Sequence, residues 1–239
     1  MSSGDRIMRI IMSVVLILAM IILSREAATL QSQQVWMASS VVSDRTEKWR
    51  VVLDSGHGGN DPGKIGISGC YEKDINLKIT EKIKVFLEMG NVEVVLTRDG
   101  DYGLYQEGNS NKKAADMRKR TELIEESMAD AVVSIHQNSY TDKAVTGAQV
   151  FYYANSSEGS EMAKCIQESL VSVLDKKNHR KEKANIDYYL LKNISCPGVI
   201  VECGFLSNEE ECRMLESDYY QEKVAWAVYM GIMRYLNAK

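Results

Sequence analysis

From Trp49 onward, short apolar runs alternate with segments whose apolar residues recur every three or four positions. The runs RVVLDS (50–55), VEVVLTR (92–98), AVVSIHQN (131–138), GAQVFYY (147–153) and GVIVECG (198–204) are rich in β-branched residues and read as strands. Between them, helical spacing predicts helices over about 74–89, 111–128, 157–177 and 218–236. The first carries Ile75, Ile79, Ile83, Phe86 and Leu87 on one face. Asp74 is its expected N-cap, and Gly90 is a C-cap signal. Strands that are apolar almost throughout, alternating with helices, predict an α/β sandwich with a largely buried sheet. No internal repeat is visible.

The N-terminus follows a different pattern. Ile10 to Leu23 is apolar apart from Ser13, with Arg6 and Arg9 ahead of it. A basic region followed by an apolar one addresses the chain to the export machinery, as an uncleaved anchor or a cleaved signal peptide. If it is uncleaved, residues 7–23 are expected to meet the membrane, and the body lies outside the cytoplasm. Residues 25–48 are polar and weakly patterned, as a tether is. The expected division is therefore 1–24 anchor or signal, 25–48 linker and 49–239 catalytic domain.

Composition adds exclusions. A net charge of −4 gives no reason to expect nucleic-acid binding. The five cysteines (Cys70, Cys165, Cys196, Cys203, Cys212) are odd in number and contain no C-x-x-C pair, which argues against a disulfide framework.

The chemistry gathers at strand ends. His57 follows VVLDSG and opens the loop HGGNDPGKIG, while His136 follows AVVSI. Ligands of α/β sheets collect at the carboxyl ends of strands, so both imidazoles are expected at one rim. Glu72, in a loop ahead of the first helix, can fold back toward His57. Two imidazoles and a carboxylate make a three-ligand zinc set with an open fourth position, the catalytic kind of site. Glu202 ends an apolar strand, where burial is costly unless the carboxylate has a partner or a task. Beside activated water it can serve as general base and then acid. Its neighbour Cys203 points to the other face of the strand and is assigned to packing.

The segments VVLDSGHGGNDPG, YEKDINLKI, LTRDGDYGL, ADAVVSIHQNS and GVIVECGFLSNEEE resemble, in order, the signatures of the type 3 N-acetylmuramoyl-L-alanine amidase family, from about Val51 to Tyr235. The bare domain behind one hydrophobic segment is similar to the spore-cortex, CwlD-like subgroup. The resemblance implies one zinc ion held by His57, Glu72 and His136, with Glu202 as the catalytic glutamate. It also implies a three-layer α/β/α sandwich with a mixed, roughly six-stranded sheet, similar to zinc exopeptidases. The implied reaction cuts the amide between the muramic lactyl group and L-alanine of peptidoglycan in the bacterial envelope, with an activating protein partner conceivable. A zinc peptidase acting within the stem peptide and a non-catalytic wall-binding module are the rival readings. Ser55 stands where many members have proline, and QEGNSNKK (106–113) is idiosyncratic.

Other residues invite smaller expectations. Asn138 and Ser139 follow a ligand and are candidates for contact with substrate amides. Tyr188, Tyr189 and Leu190 line a peptide groove or pack in the core. Arg118 and Arg120 pair with Glu122 and Glu125 on their own helix or reach the site, the ion pair being the favoured reading. His179 and the cations around it (Lys176, Lys177, Arg180, Lys181, Lys183) are expected on a solvated surface.

Overall fold

The computed structural model describes residues 48–239, together with Gly4 and Met12. The N-terminal apolar segment and the polar stretch after it lie outside the described residues, apart from Met12 and Lys48. Among the described residues no helix is long and apolar enough to cross a membrane.

Six strands form one sheet: β1 (Arg50–Ser55), β2 (Glu93–Leu96), β3 (Ala131–Asn138), β4 (Gln149–Tyr153), β5 (Lys183–Asn185) and β6 (Gly198–Phe205), in the order β2-β1-β3-β6-β4-β5. Only the β4–β6 pairing is antiparallel, so the sheet is mixed. The adjacent strands β1, β3 and β6 are parallel, and their carboxyl ends therefore share one rim.

Alternation along these strands feeds two cores. Val51, Leu53, Val133, Ile135, Val199, Val201 and Cys203 pack against α1 (Glu72–Met89), α3 (Ser157–Val173), α5 (Glu209–Glu216) and α6 (Asp218–Leu236). Val52, Val132 and Ile200 face α2 (Lys112–Ser127) and the one-turn α4 (Tyr189–Lys192). The result is a three-layer α/β/α sandwich. Helix α1 forms because Ile75, Ile79, Ile83 and Leu87 fall on one stripe and are all buried. Helices α2 and α3 start where the side chains of Asn111 and Ser156 accept the backbone N–H of Ala114 and Gly159.

Local details differ from the sequence expectations. Helix α1 starts at Glu72 with Tyr71 at its N-cap, so Asp74 lies in the first turn and not at the cap. Both carboxylates then sit where the helix dipole favours negative charge. Gly90 closes the helix at an ordinary φ of −80°, and the left-handed residue is Asn91. Strand β5, α4 and α5 were not marked by the sequence pattern; the first two are only three and four residues long, too short to show a period.

Candidate active site

The site lies at the shared rim, on the sheet face covered by α2 and α4. Because α4 is one turn long, that face is only partly closed, and a cleft of about 460 Å³ opens between the two helices. Its lining includes His57, Glu72, His136, Glu202, Asn138 and Ser139. Tyr188, Tyr189 and Leu190 line it too; Tyr188 also packs edge-on against Phe151, and Leu190 is buried, so groove and core are served together.

His57 lies two residues beyond β1, with a left-handed φ of +64°. A non-glycine residue in that region is held there by its surroundings, and here two buried arginines hold it. The Arg98 Nε donates to the Ser55 carbonyl (2.9 Å) and its Nη2 to that of Gly56 (3.1 Å). Arg120 donates from Nη1 to the Ser55 carbonyl (2.8 Å) and from Nη2 to that of His57 (2.6 Å). Three successive carbonyls are thereby fixed. Arg120 also pairs with Asp54 and Asp116, each at 2.6 Å. This corrects the expectation of pairing with Glu122 and Glu125: Arg120 is fully buried and turns inward, and Glu122 pairs with Lys119.

Glu72 was expected in a loop; it is instead the first residue of α1, and it is 2% exposed. Its Oε2 accepts the Lys64 N–H (2.7 Å), and its Oε1 accepts the Gln137 N–H (3.0 Å). The same Oε1 lies 3.3 Å from His57 Nε2 and 3.0 Å from His136 Nδ1. The imidazole centroids are 5.0 Å apart, nearly perpendicular. On the far side of its ring, His57 Nδ1 meets Asp61 Oδ2 at 2.9 Å, which orients the ring with Nε2 toward Glu72. One donor atom from each of His57, Glu72 and His136 falls within 4.8 Å of the others.

Two glycines let these groups approach. A Cβ on Gly56 would lie 2.2 Å from His136 Cε1, and one on Gly63 would lie 2.6 Å from Glu72 Oε2. His136 itself sits inside β3, before a register irregularity that runs to Asn138.

Glu202 pairs with His136 across the β3–β6 ladder, so the two side chains share one face. Glu202 is 9% exposed, and among the described residues its Oε2 has no hydrogen-bond partner. Burial pushes this carboxyl up to about 7, against the pull of His136. Glu72 is just as deep but goes the other way. Burial opposes its charge, yet the bonds from His136 and His57 outweigh that and hold it below the ordinary carboxylate range. At His136, burial disfavours the cation, but Glu72 raises the pKa overall. Two carboxylates within one cleft are thus driven to opposite protonation behaviour. Cys203 points away into the main core and is wholly buried.

Asp54, Asp61 and Arg98 were not read from the sequence as site residues, whereas Arg120 reaches the cleft, the second of the two readings the sequence offered for it. An aspartate inside the apolar run VVLDS was the available signal for Asp54, since a buried charge demands a partner. His179 is exposed, as expected. Arg180 is not simply solvated: its Nε donates to the Thr146 carbonyl (2.8 Å), and its guanidinium lies over Phe205.

Comparison with known proteins adds relatives. A family profile described as N-acetylmuramoyl-L-alanine amidase matches residues 51–234. The chain is 39% identical over 192 residues to the germination-specific N-acetylmuramoyl-L-alanine amidase of Bacillus subtilis (strain 168), covering 79% of this chain and 80% of the relative. It is 28% identical over 230 residues to the amidase AmiA of Escherichia coli (strain K12), covering 78% and 76%. Among solved structures, the CwlD amidase from Clostridioides difficile in complex with the GerS lipoprotein matches with a TM-score of 0.78 at 44% identity, covering 80% of this chain and all of that one. The amidase AmiC2 of Nostoc punctiforme matches with a TM-score of 0.69 at 35% identity, over 80% and 99%.

Proposed function

Because this chain belongs to the N-acetylmuramoyl-L-alanine amidase family, we propose that it is a zinc-dependent hydrolase that cuts the lactyl–L-alanine amide of spore-cortex peptidoglycan. His57 Nε2, His136 Nδ1 and a Glu72 oxygen are the proposed zinc ligands. The donor set fits: two imidazoles and one carboxylate converge, and Asp61 fixes one ring from behind. When bound, zinc supplies Lewis-acid polarisation and lowers the pKa of water to about 7.

The rest of the chemistry belongs to the chain's own groups. Glu202 takes the proton from the attacking water and returns it to the departing alanine nitrogen. A carboxyl whose pKa lies near 7 exchanges protons at neutral pH, which both halves of that cycle require. Asn138 and Ser139, at the cleft wall, orient the substrate amide. The observation that carries this reading is the buried Glu202 carboxylate beside the three-donor cluster, its Oε2 without a hydrogen-bond partner among the described residues.

The germination-specific relative supports the cortex role. The proposed organisation is an anchor or signal peptide over residues 1–24, a linker over 25–48 and the catalytic domain over 49–239, acting in the envelope outside the cytoplasm. A lipoprotein partner, as in the Clostridioides difficile complex, is proposed for this chain too.

Mass spectrometry of digested cortex muropeptides tests the assignment. The expected product carries a free lactyl carboxylate and releases a peptide with N-terminal alanine, in a zinc-dependent reaction. Cleavage inside the stem peptide, or equal products from the wild type and Glu202→Ala, would overturn it.

A further inference from the structure

A second cluster of metal-ligating side chains lies outside the cleft. Helix α5 carries Cys212 and Glu216 one turn apart, at a spacing that puts both on one face. Against that face folds the hairpin of residues 65–71, closed by an Ile65–Tyr71 bridge and by the Gly66 N–H donating to the Cys70 carbonyl (2.8 Å). The hairpin is tied to the end of β6 through the Ile67 N–H and the Leu206 carbonyl (3.0 Å). It delivers Cys70 Sγ to 3.7 Å from Cys212 Sγ, and Ser68 Oγ to 3.4 Å from the same sulfur. Glu216 Oε2 lies 3.9 Å from Cys212 Sγ, and donor atoms of Cys70, Cys212 and Glu216 all fall within 4.8 Å of one another.

We propose that Cys70, Cys212 and Glu216 form a second metal site, for a thiophilic divalent cation such as zinc, that clamps the 65–71 hairpin to α5. Two thiolates bound at ~2.3 Å to one tetrahedral ion stand about 3.7–3.8 Å apart. The observed sulfur separation has that value, whereas a disulfide needs sulfurs at ~2.05 Å. Soft thiolates select zinc-like ions over magnesium or calcium, and the carboxylate supplies the third donor. The Ser68 hydroxyl or a water completes the tetrahedron. The backbone is shaped for the sulfur pair: a Cβ on Gly66 would meet Cys70 Sγ at 2.5 Å and Cys212 Sγ at 2.9 Å. Cys212 is fully buried and Cys70 half-buried, so the ion enters from the hairpin side, where Glu216 is exposed. Binding releases the two thiol protons and involves no electron transfer.

Cobalt(II) titration of the full chain, kept reduced with a phosphine, tests the site. Sulfur-to-cobalt charge transfer gives a near-ultraviolet band that the cleft cannot produce, because His57, Glu72 and His136 offer no sulfur. The expected result is a band that saturates at one cobalt per chain in His136→Ala, and by two in the wild type, where the cleft can take the other ion. It is lost in Cys212→Ser and in Cys70→Ser, kept in His136→Ala and bleached by zinc. Cys70 is half-buried, so its serine variant keeps the test valid if Cys212→Ser fails to fold. Absence of the band from the wild type, or its persistence in Cys70→Ser, overturns the proposal. So does a chain purified without metal that has lost two of its five thiols to a disulfide.

Discussion

At the scale of single residues, environment outweighs residue type. Glu72 and Glu202 are both buried glutamates near the same two imidazoles, yet one is held ionised and the other is pushed up to about 7. Glu72 accepts two backbone N–H groups and faces both rings, whereas Glu202 Oε2 meets no donor among the described residues. Glu202→Gln should therefore lower kcat by roughly 100- to 10,000-fold while zinc content, measured by metal analysis, stays at the wild-type value. Asp54 shows the same principle as a stability effect. Burial raises its pKa, but the Arg120 guanidinium and the hydroxyls of Ser134 and Thr97 outweigh this and bring it to about 2, below its ordinary 3.8. A carboxylate depressed on folding contributes stability above the unfolded pKa and loses it as pH falls through the folded one. Denaturant unfolding at decreasing pH should show this contribution declining between about 4 and 2. Arg120→Met removes one partner of a pair that is 2% exposed on both sides, at a cost of about 3–5 kcal/mol in the same assay at neutral pH.

Elements fix the direction in which these residues point. Strands β1 and β3 end side by side, and Gly56 lets the His136 ring lie against the end of β1. Gly56→Ala puts a methyl 2.2 Å from that ring, so zinc affinity by competition with a chelator should fall sharply, more than in any substitution at the cleft mouth. The loop after β1 folds so that Asp61 stands behind the His57 ring. Asp61→Ala should weaken zinc by about 10- to 100-fold and leave the fold intact, since carboxylates behind ligating imidazoles typically contribute that much.

For the molecule as a whole, a bound ion would join three elements distant in sequence: the β1 loop, the start of α1 and β3. Anything that binds only the folded state stabilises it, by about 2.7 kcal/mol at a hundredfold excess over Kd. Scanning calorimetry should accordingly show a melting midpoint that rises with added zinc, and a smaller rise in His136→Ala. Protons compete for the same atoms. Because Glu72 raises the His136 pKa above 6.5 in the ion-free chain, the zinc effect should be weak at pH 6 and grow as pH rises past that value.

The alternation of apolar strands and helical stripes was sufficient by itself to determine the sandwich, because burial on both faces of a sheet leaves a run that sequence alone displays. Strand boundaries at 50–55 and 131–138 were legible for the same reason. His57, His136 and Glu202 were marked by their places at strand ends, Glu72 by its place just ahead of the first helix, and all four by the family signatures. Tertiary structure decided what no local pattern encodes. Arg120 looked like a partner for neighbours on its own helix, but packing brings it to Asp54, 66 positions away. Glu72 looked like a loop residue, but backbone donors from Lys64 and Gln137 seat it at the helix start. Cys70 and Cys212 looked unrelated, but a hairpin folded over α5 sets their sulfurs 3.7 Å apart. In each case the partner is supplied by a distant segment. Periodicity reports which face of an element is apolar, not which residue of another element that face will meet.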